Sequence, residues 1–83
     1  MNTSRAAYNR IKGNVGALQA TVLAVLKANP NGLMDDQLIA ILGWVPSTVR
    51  TRRSELVKMG LVVASGRLGR TKTGCKANIW VAV

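Results

Sequence analysis

The side chains best suited to exchange hydrogen bonds with a polar or anionic partner cluster in Pro46-Ser47-Thr48-Val49-Arg50-Thr51-Arg52-Arg53-Ser54-Glu55-Leu56-Val57-Lys58. Advancing about 100° per residue along a helix, Val45, Val49, Leu56 and Gly60 share one arc, expected to face a core. Ser47, Arg50, Thr51, Ser54 and Lys58 fall on the opposite side, which carries no acid. Arginine and lysine donate to guanine acceptors or to phosphates, and serine and threonine hydroxyls both donate and accept. Their small size also lets a helix approach a groove closely. Arg50, Thr51 and Ser54 are expected to face base edges, and Ser47, Thr48 and Lys58 to meet phosphates. Arg52 and Arg53 lie on the flanks of the apolar arc. Arg52 precedes Glu55 by three residues, a spacing that permits an ion pair on the helix surface. The stem of Arg53 can cover the edge of a core while its head reaches solvent or a phosphate. Structural pairing and contact with nucleic acid both stay open for these two residues.

A second set of cations, Arg67, Arg70, Lys72 and Lys76, follows in a stretch rich in glycine and threonine. A basic hairpin tip suits the phosphate backbone or the minor groove. Gly69-Arg70-Thr71-Lys72-Thr73-Gly74 is not a phosphate-binding P-loop: it lacks the Gly-Lys-Ser/Thr ending and does not open a helix. The formal charge of the 83-residue chain is +9. Eight basic residues and one acid lie in 49–83, against four basic residues and two acids in 1–48. Such an excess implies a polyanionic partner.

Other chemistries lack their parts. There is no histidine, only three carboxylates, and no cofactor motif. Asp35 and Asp36, adjacent on a helix, would point about 100° apart and form no acid–base dyad. Cys75 is the only cysteine, so an intramolecular disulfide and a zinc ligand set are both excluded. A reducing cytoplasm fits. Arg5, Arg10 and Lys12 before the apolar stretch 15–26 imitate a signal peptide, but Gln19 and Thr21 interrupt that stretch and its apolar residues keep helical spacing. No run is long enough to span a membrane. Tyr8, Trp44 and Trp80 are too few to build an aromatic platform for unpaired RNA bases.

The elements that must hold these residues are legible from periodicity and punctuation. Residues 1–13 form a basic lead-in, either a mobile arm or a short helix Arg5–Ile11 capped by Ser4. Val15, Leu18, Val22, Val25 and Leu26 predict a helix over about 15–28, ended by Asn29-Pro30-Asn31-Gly32. Leu38, Ile41 and Leu42 give the inward face of a second helix from about Met34 to Leu42, with Asp35 and Asp36 in its first turn. Gly43 stops it, Pro46 suits the first position of a third helix, and Gly60 its end. Leu61–Ala64 and Asn78–Val83 then read as two strands joined by a long basic loop, Ser65–Ala77. The expected class is α+β: one winged helix-turn-helix domain over 1–83, with a three-helix core over 15–60 and a two-stranded β-hairpin wing over 61–83. A chain this short has a marginal, mostly aliphatic core.

The run GLMDDQLIAILG at 32–43, followed by Ser47–Val62, resembles the helix-turn-helix core of MarR-like winged-helix proteins. Ser65-Gly66-Arg67, Arg70-Thr71, Thr73-Gly74 and Ala77-Asn78-Ile79-Trp80, with Thr3–Tyr8, are similar to small winged-helix proteins encoded by bacteriophages and prophages. This resemblance covers nearly the whole chain and implies a DNA-binding regulator of transcription. It does not imply a small-molecule sensor, because 83 residues leave no room for the dimerisation and ligand helices of longer MarR proteins. Met34 stands where many such proteins place a threonine or serine cap.

The expected partner is therefore double-stranded DNA, with the third helix in the major groove and the wing on the backbone or minor groove. The competing class is a protein-interaction module that diverts a host protein, with an exposed apolar patch around Tyr8 or Trp44 as its contact. A homodimer, through the N-terminal segment, is compatible with either.

Overall fold

A computed structural model describes residues 16–83. The expected helix Arg5–Ile11, its cap Ser4, Tyr8, Val15 and the N-terminal segment assigned to a dimer contact lie outside these residues. The elements run α1 Ala17–Ala28, α2 Asp35–Leu42, α3 Pro46–Lys58, β1 Val62–Arg70 and β2 Lys76–Ala82. Three helices followed by an antiparallel hairpin give an α+β fold consistent with a winged helix-turn-helix layout.

The helices start and stop where backbone groups find partners. α1 and α2 begin alike: Gln19 Oε1 accepts from the Gly16 N–H at 2.9 Å, and Gln37 Oε1 accepts from the Met34 N–H at 2.8 Å. Neither Gly16 nor Met34 can return the bond, so each start is half of a capping box. At the far end of α1, Asn29 Nδ2 donates to Val25 O at 2.8 Å, relieving one terminal carbonyl. α2 closes through Gly43 N–H to Ile39 O at 2.8 Å. α3 opens on Pro46, and ends in the paired bonds of a Schellman turn, Gly60 N–H to Val57 O and Leu61 N–H to Leu56 O, each 3.0 Å.

Every element gives something to one small aliphatic core. Val22 and Leu26 come from α1, Leu38 from α2, Val49 and Leu56 from α3, Val62 from β1, and Leu33 from the α1–α2 connection. Trp44 and Trp80 pack half-buried against it. Four residues expected to face the core are exposed instead: Leu18, Ile41, Val45 and Gly60. Val45 precedes the first turn of α3 in a non-helical conformation, so helical angles do not place it. Leu18 sits in the first turn of α1, beyond the turns that supply Val22 and Leu26. In α2, Ile39 takes the place expected of Ile41, beside the expected Leu38 and Leu42.

The hairpin corrects the expected boundaries most. β1 runs through Arg70, well into the stretch expected as a loop, β2 begins two residues early at Lys76, and only residues 71–75 connect them. The register pairs Ala64 with Trp80 and Leu68 with Asn78, so Ser65, Gly66 and Arg67 stand against Ile79 alone. This is a β-bulge, which bends and twists a ribbon. Gly66 supplies its left-handed backbone, at φ 88°. On the other edge of β2, Leu33 forms a short third pairing: its N–H donates to Trp80 O at 3.0 Å and its carbonyl accepts from Trp80 N–H at 2.8 Å. Gly32 makes that approach possible. With φ at 91°, a Cβ there would lie 2.5 Å from Ile79 Cγ2 and 2.9 Å from Trp80 O.

Candidate nucleic-acid interface

α3 displays Ser47, Arg50, Thr51 and Lys58 to solvent, with Thr48 and Ser54 half-buried. The helical spacing of the sequence thus does bring the expected outer-face residues to one side. The arginines behave differently from one another. All three carboxylates of the chain are directed at them.

Arg53 is turned inward. Its Nε and Nη2 donate to the two carboxylate oxygens of Asp35 at 2.9 and 2.7 Å, and its guanidinium lies 4.1 Å from the centre of the Trp80 ring. Such bidentate, stacked geometry is strong and specific. Its side chain is only 16% exposed and that of Asp35 18%. Arg53 therefore leaves the set of outward DNA-facing candidates: it ties α2, α3 and β2 together. Arg52 Nε sits 3.1 Å from Glu55 Oε1, the expected pairing three residues on. The angle makes this an ion pair rather than an aligned hydrogen bond, and the Nε has no other partner. Glu55 Oε1 is shared with Gln19 Nε2 at 2.6 Å, which links α3 to α1. Arg50 alone keeps an open side chain, 54% exposed. Asp36, itself 42% exposed, stands 3.9 Å from its Nη2. A pair this open and this long contributes about 0–1 kcal/mol.

Among the described residues the wing has no such partners. Arg70 stands directly opposite Lys76 in the antiparallel register, which puts two like charges on one face of the ribbon. Arg70 Nη1 reaches only a carbonyl, Gly74 O, at 3.4 Å. Lys72 is exposed in the connection between the strands. That connection is ordered by Thr71: its N–H donates to Cys75 O at 2.8 Å, its carbonyl accepts from Gly74 N–H at 2.9 Å, and its Oγ1 accepts from Cys75 N–H at 3.2 Å. Cys75 is exposed there. Arg67 leaves the ribbon at the bulge and hydrogen-bonds through Nη2 to Asn31 O, spanning from the wing to the α1–α2 turn. Arg67, Arg70 and Lys76 thus stand on strands, and only Lys72 on the loop expected to carry all four.

Helix and wing border a common space. An open cleft of about 240 Å³ is lined by Asp35, Asp36, Arg50 and Arg53 on one side and by Thr71, Ala77, Asn78 and Trp80 on the other. The ribbon leans on the start of α2 through Met34, whose Sδ would lie 2.6 Å from a Cβ at Gly69. Two carboxylates and two guanidinium groups make the walls of the cleft formally neutral. Beyond it, the ribbon is uniformly positive.

Several of these contacts had no counterpart in the expected site: Asp35 and Asp36 as arginine partners, Asn31 as an anchor for Arg67, and Trp80 as the platform under Arg53. One signal for the first was present. In a helix-turn-helix the first turn of α2 crosses the middle of α3, which sets adjacent acids opposite Arg50 and Arg53. Comparison with protein-family models and with curated proteins found no match to this chain.

Proposed function

We propose that the protein binds double-stranded DNA and regulates transcription, with α3 in the major groove and the wing along the phosphate backbone or minor groove. The observation that carries this reading is the position of Arg67, Arg70, Lys72 and Lys76, four cations without a carboxylate partner among the described residues. They lie on a ribbon that borders a cleft also lined by Arg50 of α3. Opposing like charges on neighbouring strands cost stability, and a polyanion relieves that cost. On α3, Ser47, Thr48, Thr51 and Ser54 supply short donors and acceptors, and Arg50 supplies the one open guanidinium. Lys58, exposed in the last turn, would meet a phosphate. If about five phosphates are neutralised, log K falls against log salt with a slope near −4.5. Fluorescence anisotropy with a labelled mixed-sequence duplex over a salt series measures it, and a flat response refutes the proposal.

A second reading, docking to a host protein, draws on Ile41 and Val45, exposed beside half-buried Trp44. An Ile41→Ser, Val45→Ser double variant, which removes the apolar patch without adding charge, would abolish such a contact while leaving the salt-dependent DNA affinity largely in place.

A further inference from the structure

We infer that Asp36 is a positioning residue that restrains Arg50 from sequence-independent contact with phosphate; this deepens the DNA-binding proposal and rests on it. The chain has three carboxylate side chains, and among the described residues none forms an ion pair with a wing cation. Two of them have structural work. Asp35 holds Arg53 beneath the surface against Trp80, and Glu55 joins Arg52 and Gln19 between α3 and α1. Asp36 differs. It faces the one arginine of α3 that is free to reach outward, at 3.9 Å, with both side chains about half exposed. The pair is loose enough to open and near enough to compete. A phosphate approaching Arg50 must displace Asp36 and also meet its charge. A neutral acceptor such as a guanine edge must displace it but is not repelled. The same acid also suits the first turn of α2, where the helix dipole favours it. The test must therefore read something that helix stability does not move.

That readout is a double-mutant cycle on binding to a mixed-sequence duplex, measured over a salt series with wild type, Asp36→Asn, Arg50→Ala and the double variant. Freeing one phosphate contact steepens the log–log slope by about 0.9 and raises affinity about fivefold near 0.15 M salt. The gain from Asp36→Asn is expected in the wild-type background and is expected to shrink when Arg50 is absent. Asp36→Glu, which keeps the charge, is expected to stay near wild type. An unchanged slope and affinity in Asp36→Asn overturns the inference while the DNA-binding proposal stands. So does a gain that persists in full without Arg50, which would make Asp36 a mere repulsive charge. Failure of the wild type and of all variants to bind any duplex removes the DNA-binding proposal, and the inference with it.

Discussion

α3 and the wing hold four cations each, yet their electrostatic character is opposite. On α3, Arg50, Arg52 and Arg53 each face a carboxylate, and only Lys58 stands without one. On the wing, Arg67, Arg70, Lys72 and Lys76 pair with none among the described residues. The lesson is that the count of basic residues in a segment says little about the field it projects. A compensated helix offers shape and hydrogen-bonding groups at close range. An uncompensated ribbon offers long-range attraction and little discrimination. In the proposed complex the wing would supply affinity and α3 would supply whatever selectivity there is.

The comparison can be broken most directly at the wing. Replacing Arg67, Arg70, Lys72 and Lys76 together with serine is expected to lower affinity for duplex DNA about a thousandfold near 0.15 M salt and to flatten the salt slope by about 3.6. Anisotropy titrations read both. Arg50→Ala in the same assay is expected to cost less than tenfold, and a larger loss than that of the wing variant would invert the division of labour. Next in size is Arg53→Ala, which strands Asp35 in a largely buried position and removes the stack on Trp80. The expected cost is about 2–3 kcal/mol, a large share of what a small domain has. Thermal unfolding followed by circular dichroism should show the midpoint falling by about 10–20 °C. Arg53→Lys should recover only part, since an ammonium cannot bind both oxygens in a fork. If Arg53 instead acted mainly on DNA, its removal would change affinity and leave the midpoint alone. The smallest effect belongs to Arg52→Ala, whose part-exposed pair with Glu55 is worth about 1 kcal/mol or less. Chemical denaturation measures that loss, and DNA affinity should stay within about twofold.

Local chemistry was legible in the sequence, and non-local chemistry was not. Gly43, Pro46 and Gly60 mark helix ends because each acts on its own few residues, and α2 and α3 lie within a residue or so of where these signals put them. The Arg52–Glu55 pair was legible for the same reason, being one helical turn long. The Asp35–Arg53 and Asp36–Arg50 pairs depend on how two helices cross, so the arc positions of Arg50 and Arg53 gave no sign of their different surroundings. The wing shows the same divide. Ser65-Gly66-Arg67-Leu68-Gly69-Arg70 has the composition of a loop, and it becomes strand only because β2 is there to pair with it. Gly66 belongs to a bulge rather than to a hairpin tip, a distinction made by register and not by residue type.

The pairing of Leu33 with Trp80 sets an order of events for the chain as it is made. Leu33 is one of the seven buried apolar residues of the described core, and both of its backbone hydrogen bonds go to Trp80. A nascent fragment holding α1, α2 and α3 but not residue 80 has every described helix and an unfinished interior. Closing so wide a loop is entropically costly and comes late. Until then, the surface meant to lie beneath β2 is open to water and to other apolar chains. The same strand that carries Lys76 outward is thus the last piece of the seal over the core.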